Sequence, residues 1–205
     1  MLTVVLDELF GTGGKFLDIA GGYGLLTRML RDQGFDCWTA DKYCKNILAP
    51  GFDAPPEFSA DAMFAFEVLE HVMDPVAFIA EHFGRHNCKT LVFSTATFLG
   101  TPPKSSWWYY SFETGQHVSF YQPKTLESIA ARLGCKYFMV DRTTHIFSET
   151  ELPAKLRLFL HHKRIGTVAA AYIRRRRKPF NLAWADHLSA KRRLQAGGTT
   201  QQPSA

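Results

Sequence analysis

Residues 15–24 read Lys-Phe-Leu-Asp-Ile-Ala-Gly-Gly-Tyr-Gly, an apolar run that ends in an acid and a glycine-rich turn. The run from Lys15 to Ala20 predicts a short buried strand, because its apolar residues are continuous and stop at glycine. Residues 25–33 then place apolar side chains at helical spacing, and Gly34 stands where a helix would end. A strand, a glycine turn and a helix in this order predict a nucleotide-type cofactor site at the edge of an α/β sheet.

The alternation of strand and helix signals continues to about residue 148. Asp74 and Pro75 mark the start of one helix, with the acid as N-cap and the proline at the first helical position. Strands that alternate with helices imply a mostly parallel sheet covered on both faces, so the predicted fold class is α/β, a Rossmann-like three-layer domain. The further predicted strands are 35–40, 62–66, 89–98 and two within 135–148, and a further helix spans about Pro123 to Leu133.

The charge of the 205-residue chain is unevenly distributed. Residues 1–154 hold 12 Lys and Arg against 18 Asp and Glu, whereas residues 155–205 hold 12 Lys and Arg against Asp186 alone. From about Leu152 the pattern also becomes helical and basic, and from Gly197 it is polar. We therefore predict a domain at 1–151, a basic helical extension at 152–196 and a disordered tail at 197–205.

Three features of the sequence indicate the cellular location of the protein. The four cysteines form no Cys-x-x-Cys pair, which is typical of reduced thiols in a cytosolic protein. The N-terminal segment carries Asp7 and Glu8 and has no basic start, so it does not resemble a signal peptide. No run of 18 apolar residues exists, and no transmembrane segment is predicted. The expected location is the cytoplasm.

Two acids flank the glycine turn and restrict the ligand. Asp18 ends the first strand and is placed to meet a cationic group, while Asp41 ends the next strand, 19 residues beyond Gly22. An acid at that spacing is placed to accept both hydroxyls of a ribose. The glycines allow the backbone to turn sharply and a ligand to approach without a Cβ in the way.

Three kinds of ligand compete for such a turn. A phosphate loop needs a Gly-Lys-Ser/Thr end before a helix, but Lys15 is followed by Phe16 and a strand. A dinucleotide turn needs a third glycine three residues after Gly24, and Thr27 stands there instead. Asp18 would also repel a pyrophosphate. S-adenosylmethionine carries an ammonium and a sulfonium and no phosphate, so it is the cofactor that fits the acidic turn.

A second block, Phe66-Glu67-Val68-Leu69-Glu70-His71-Val72-Met73-Asp74-Pro75, follows the third strand. With the glycine turn it resembles the class I S-adenosylmethionine-dependent methyltransferases, and within them the Glu-Val-Leu-Glu-His subgroup of ubiquinone-type and glycan-modifying enzymes. The resemblance covers about residues 14–148 and implies a seven-stranded sheet, one strand of which usually lies between Asp41 and Asp61. Ala20 stands where the family turn usually has its first glycine. By this resemblance the cofactor would be held by Asp18, Ala20, Gly21, Gly22, Gly24, Asp41, Lys42, Phe66, Glu67 and Val68.

The candidate catalytic residues are His71 and His117, in that order. His71 would face the transfer site, and His117 lies in the segment Gln116–Tyr121, which resembles the Gly-x-His block of the same subgroup. An imidazole suits removal of a hydroxyl proton, because its ordinary pKa is about 6.5. For His117 a purely structural role in the loop is an equal alternative. No metal site is predicted.

An aromatic loop precedes His117 and is the predicted acceptor lid. Its rings suit sugar and aromatic acceptors alike, and Gly and Pro residues on both sides could serve as hinges. The alternative is that the rings only cover the edge of the sheet. The predicted acceptor-binding residues are Trp107, Trp108, Tyr109, Tyr110 and Glu70.

The basic stretch 163–178 contains four consecutive arginines followed by Lys178. It could bind an anionic surface, either nucleic acid or the inner face of a membrane, or could be a solvated helix end. The sequence therefore favours an S-adenosylmethionine-dependent O-methyltransferase acting on a small molecule or glycan. A weakly catalytic, methyltransferase-like module that docks through its basic tail is the alternative.

Overall fold

A computed structural model describes residues 1–197, and strands alternate with helices as far as Ser148. The Asp74-Pro75 helix start is confirmed, because the Asp74 carboxylate accepts the backbone N–H of Ala77 at 2.9 Å. The predicted strands and helices shift by a few residues at most in their observed ends. Along the chain the elements are α1 (Leu2–Phe10), β1 (Lys15–Asp18), α2 (Leu25–Arg31), β2 (Asp36–Thr39), β3 (Ala62–Ala65), α3 (Pro75–His86), β4 (Thr90–Ser94), α4 (Pro123–Arg132), β5 (Lys136–Met139), β6 (Thr144–Ser148), α5 (Ala154–His161), α6 (Lys163–Arg177) and α7 (Ala183–Gly197).

The strands form one sheet in the order β2-β1-β3-β4-β6-β5. Strands β1 to β4 pair in parallel, while β6 runs antiparallel to both β4 and β5. The carboxyl ends of β1, β2 and β3 therefore lie side by side at one edge. The glycine turn, Asp41 and the Glu67–His71 block follow these three ends, which is where an open α/β sheet binds its ligand.

The expectation of seven strands is wrong for the described residues, which form six. The segment between Asp41 and Asp61 makes only a one-residue parallel bridge, in which Thr39 pairs with Asp53 beside β2. Pro50, Pro55 and Pro56 interrupt this segment. Proline has no backbone N–H to donate to a ladder, so a regular edge strand is disfavoured there.

Apolar side chains pack on both faces of the sheet, as the three-layer prediction requires. Burial of each large side chain contributes about 1.5–3 kcal/mol, so these two layers are the main source of stability. One face is covered by α3 and α4, the other by α1, α5 and α6. Buried residues of the first layer include Leu17, Met63, Ile79, Leu91, Phe93 and Leu126, and those of the second include Val5, Phe16, Phe64, Leu156, Ala170 and Ile173.

The basic C-terminal helices share this second layer with α1. Helix α7 is attached by an ion pair in which the Arg31 guanidinium donates two hydrogen bonds to Asp186, both at 2.9 Å. Both side chains are buried. The boundary at 151/152 stays a prediction, and the predicted disordered tail, apart from Gly197, lies outside the described residues. Within residues 1–197, no helix is long and apolar enough to span a bilayer.

Candidate functional site

The glycine turn after β1 has the close geometry that its sequence predicts. A Cβ on Gly21 would lie 2.1 Å from the Thr39 hydroxyl oxygen, so only glycine fits there. Gly22 and Gly24 have positive φ angles of 54° and 86°. Ala20 has no positive φ and needs no glycine, so its Cβ is compatible with the turn.

Residues 46–48, in the segment after β2, contact this turn and hold it in place. The N–H groups of Ile47 and Leu48 both donate to the carbonyl of Tyr23, at 3.1 and 3.0 Å. A Cβ on Gly24 would lie 2.3 Å from the side-chain oxygen of Asn46, so this segment also requires glycine at that position. The segment that lacks a regular strand therefore positions the glycine turn instead.

Asp18 is buried at the end of β1, with 4% of its surface exposed. Burial, together with the nearby charge of Asp41, raises its pKa to about 7. An isolated carboxylate in this position is costly, so a cationic group placed against it would favour ionisation. The arrangement fits the ammonium of an amino-acid moiety.

Asp41 is fixed by backbone donors. Its carboxylate accepts N–H groups from Gly22 at 2.9 Å and from Tyr43 and Cys44 at 2.7 Å each. Partial burial alone would raise the pKa of Asp41, but the three donors outweigh it and hold the pKa below its ordinary value. Asp41 is therefore a charged, oriented acceptor at the end of β2.

A cavity of about 680 Å³ opens beside Asp41. Ala20, Asp41 and Lys42 line one side, and Val68 and His71 line another. Side chains of α3 complete it, among them Phe78 and Arg85. A volume in this range accommodates a nucleoside-sized ligand.

Glu67 has a left-handed backbone conformation, with φ at 54°. This is unusual for a residue with a side chain and marks strain of about 1–3 kcal/mol, which concentrates at functional sites. Ser94 at the end of β4 holds it: the Glu67 N–H donates to the Ser94 hydroxyl at 2.8 Å, and that hydroxyl donates to the Glu67 carboxylate. Phe66, the residue before it, is half-buried and packs into the opposite layer of the core.

The structure brings His71 and His117 together. Their ring centroids lie 4.9 Å apart, because the Glu70 carbonyl accepts the N–H groups of Val118 and Ser119 at 2.8 and 3.0 Å. The Nδ1 of His71 is 2.9 Å from the Gln116 carbonyl, and the Nδ1 of His117 is 2.6 Å from the Tyr109 carbonyl. A carbonyl only accepts, so each Nδ1 carries the proton and each Nε2 is left available.

Glu70 lies beneath this histidine pair and is fully buried. Neither carboxylate oxygen has a hydrogen bond of regular geometry among the described residues. Burial raises the pKa of Glu70, the charge of Glu67 raises it further, and the neighbouring Tyr109 hydroxyl partly offsets this. Glu70 therefore does not have the open position expected of a residue that binds an acceptor in its own right.

The aromatic loop divides into buried and exposed rings. Tyr109 is buried, its hydroxyl is 3.0 Å from that of Thr95, and its ring contacts His117 with centroids 4.6 Å apart. Trp107 and Tyr110 are half-buried and pack against each other, and the Tyr110 hydroxyl donates to the Pro103 carbonyl. Trp108 is 76% exposed. Of the four predicted acceptor-binding rings, Trp108 alone is open to solvent.

The basic cluster is only partly available to a partner. Arg177 is buried, and its guanidinium donates to Asp7 at 3.1 Å and to the carbonyls of Gly11 and Gly34 at 2.8 and 2.6 Å. It also stacks over the ring of Phe35. A solvated arginine was expected here, but the helix geometry turns this side chain inward. Arg174, Arg175 and Lys178 remain exposed.

Some site residues are not evident from sequence. Ser94, which holds Glu67, and the α3 side chains Phe78, Glu81, His82 and Arg85 reach the site only through packing. These residues lie outside both motifs that identified the site in the sequence, the glycine turn and the Glu67–His71 block. Ser94 lies in the middle of the predicted strand 89–98, and only the structure ends β4 at this residue and so puts it at the ligand-binding edge of the sheet.

Comparison with known proteins agrees with this geometry. The model of the family described as "Methyltransferase domain" matches residues 3–139, so the chain belongs to that family. Among solved structures it is similar to CalO1, a methyltransferase in calicheamicin biosynthesis in its SAH-bound form, at 13% identity and a TM-score of 0.51, over 72% of this chain and 53% of that one. It is also similar to an O-methyltransferase family 2 protein from Planctomyces limnophilus DSM 3776 in complex with apigenin. The identity is 18% and the TM-score 0.52, and the match covers 68% of this chain and 50% of that one.

The chain thus spans about half the length of these two proteins, and at such identities the likeness shows the fold. The curated protein sequences yield no match. The family match therefore defines the chain as a methyltransferase domain, of the kind that uses S-adenosylmethionine.

Proposed function

We propose that this chain is an O-methyltransferase of the Glu-Val-Leu-Glu-His subgroup that acts on a hydroxyl of a small molecule or glycan. One observation carries the proposal: two imidazoles lie together beside the cavity, each with Nδ1 fixed on a backbone carbonyl and Nε2 available. Such a pair can receive a hydroxyl and its proton.

The proposed cofactor position follows the cavity. Asp18 and the turn from Ala20 to Gly24 would hold the methionine part, and Asp41 with Lys42 the ribose. Of these residues Ala20, Asp41 and Lys42 line the cavity. Val68, with Glu67 beside it, would lie near the sulfonium. The segment after β2 forms no regular strand among the described residues, while Phe78 and Arg85 of α3 line the cavity, so we propose that these two side chains cover the adenine.

The acceptor would lie on the side of His117. Trp108 is exposed and its ring contacts that of Tyr109, which in turn contacts His117. A flat indole face suits a sugar or aromatic ring. Tyr109 and Glu70 are buried and act by positioning the histidines, while Trp107 and Tyr110 support the loop.

Methyl transfer requires the chain to align the acceptor hydroxyl with the methyl group and to remove the hydroxyl proton. S-adenosylmethionine supplies the methyl group: a bond forms between the acceptor oxygen and the methyl carbon as the carbon–sulfur bond breaks, and its electron pair stays on sulfur. The hydroxyl proton passes to the Nε2 of His71 or His117. Collinear placement of the acceptor oxygen is the largest contribution the residues can make.

The test is transfer of a labelled methyl group to a panel of flavonoids and monosaccharides, with S-adenosylhomocysteine release as the second readout. We expect methylation at oxygen for at least one acceptor, and a decrease in kcat of about 100-fold or more for His71→Ala and His117→Ala. Cofactor affinity should stay within about threefold in both variants. His161→Ala, in the exposed end of α5, is the control and should keep full activity. Absence of transfer to any hydroxyl of the panel, or an unchanged kcat in both histidine variants, would contradict the proposal.

A further inference from the structure

Glu70, His71 and His117 can each place one ligand atom within 4.8 Å of the other two. From this cluster we infer that the chain binds one first-row divalent transition-metal ion, with a carboxylate and two imidazoles as its ligands. Two histidines and one glutamate form a frequent ligand set for such ions and leave coordination positions open to a substrate.

The buried carboxylate of Glu70 is an observation that points to a cation independently of the cluster. It is fully buried, and neither oxygen has a hydrogen bond of regular geometry among residues 1–197. None of the ion pairs within those residues includes Glu70 or the nearby Glu67. A buried carboxylate without an ion-pair partner is costly, and a bound cation removes that cost.

The histidines are oriented as metal ligands usually are. Each donates its Nδ1 proton to a backbone carbonyl, at 2.9 Å for His71 and 2.6 Å for His117. This second hydrogen bond fixes the ring and its tautomer and leaves Nε2 as the ligand atom. The two histidines are 46 residues apart in the chain. Besides the His71–Gln116 bond, four hydrogen bonds hold their segments together, from the N–H groups of Val118 and Ser119 to Glu70 and from the hydroxyls of Ser119 and Tyr121 to Val72 and Leu69.

The three ligand atoms are close enough for a small movement to bring them around one ion. Ligand atoms about 2.1 Å from a tetrahedral ion stand about 3.4 Å apart, so atoms that lie within 4.8 Å of one another must approach by at most about 1.4 Å. His71 is exposed and can supply this movement by rotating. Imidazole nitrogen favours Zn²⁺ or Co²⁺ over Mg²⁺ and Ca²⁺, which prefer oxygen ligands.

An ion here would act as a Lewis acid on an acceptor oxygen. This part of the inference rests on the proposed function, and it changes the role of the imidazoles from base to ligand, with the acceptor proton leaving to solvent. The binding of the ion does not depend on methyl transfer and can be measured alone.

The experiment uses the full chain carrying Cys44→Ser, because Cys44 is an exposed thiol that could itself bind the probe. After chelation and dialysis, Co²⁺ is titrated by calorimetry and by its visible absorption, and Zn²⁺ and Mg²⁺ are titrated in parallel. We expect one Co²⁺ or Zn²⁺ per chain and a Kd at least about tenfold higher for Mg²⁺. His71→Asn, His117→Asn and Glu70→Gln should each weaken Co²⁺ binding by about tenfold or more.

His187→Ala, an exposed histidine of α7, is the matched control and should bind Co²⁺ as the parent does. Because Glu70 is buried and its variant could lose the fold, the exposed His71→Asn decides the outcome, with cofactor binding as the check of folding. Absence of stoichiometric binding, or binding that His71→Asn leaves unchanged, would overturn the inference. Metal binding without any methyl transfer would instead overturn the proposed function.

Discussion

The backbone N–H of Gly22 donates to Oδ2 of Asp41 at 2.9 Å, although 19 residues separate them. This bond joins the glycine turn to the acid at the end of the neighbouring strand. Tyr43 and Cys44 occupy the other carboxylate oxygen. A carboxylate offers about four acceptor positions, so one remains for a ligand hydroxyl.

We expect Asp41→Ala to weaken S-adenosylmethionine binding by about tenfold or more, because it removes the charged acceptor and releases three backbone donors. Isothermal calorimetry measures this directly. Asp32→Ala, at the exposed end of α2, is the control and should leave the affinity unchanged. An affinity for Asp41→Ala equal to that of the parent would exclude the ribose assignment.

The glycine turn makes a steric prediction. In Gly21→Ala the new Cβ would lie 2.1 Å from the Thr39 hydroxyl oxygen and 2.8 Å from the Asp18 carboxylate, so we expect about 1–3 kcal/mol of destabilisation and weaker cofactor binding. Gly84→Ala, in α3, meets no atom within 4 Å and should stabilise by up to about 1 kcal/mol. Urea unfolding of both variants distinguishes them, and equal effects would contradict the turn geometry.

Asp18 makes cofactor binding depend on pH. Its pKa is raised to about 7 in the folded chain by burial and by Asp41, and the thiol of Cys37 is a further neighbour. A cationic ligand group favours the ionised form, so binding releases a proton below pH 7. Affinity should rise with pH, by at most about tenfold per unit, and level off above pH 7.

The same shift acts on stability with the opposite sign. The folded chain binds the proton of Asp18 more tightly than the unfolded chain, so between about pH 4 and 7 the free energy of unfolding falls as pH rises. Calorimetric titrations and urea unfolding across this range measure both effects. Asp18→Asn should remove both slopes, and a wild-type affinity that is flat below pH 7 would refute the prediction.

Arg177 is expected to be a stabilising residue and not a binding one. Arg177→Ala removes a buried cation from Asp7 and leaves the carbonyls of Gly11 and Gly34 without their donor, at a cost of about 3–5 kcal/mol. Arg175→Ala, in the exposed part of the same helix, should change stability by less than about 0.5 kcal/mol. Chemical unfolding compares the two, and a loss for Arg177→Ala as small as that of the control would show that the buried contacts do not form.

Much of the site could be predicted from local sequence. The apolar run before Asp18, the spacing from Gly22 to Asp41 and the Glu67–His71 block each depend on neighbours within about 20 residues. Strand and glycine signals of this kind are local, and parallel strands bring their carboxyl ends to one edge. The cofactor, the order of elements and the position of the two acids followed from them.

Long-range packing decided what remained. The inward turn of Arg177 depends on Asp7, 170 residues away, and the meeting of His71 with His117 depends on hydrogen bonds between two loops. The burial of Glu70 likewise depends on which segments lie beside one another. The sequence by itself determined the class of fold and its cofactor, because short-range pattern specifies strands, turns and charge. Only the tertiary structure decided which charges are buried and which histidines meet, because burial depends on contacts between segments distant in the chain.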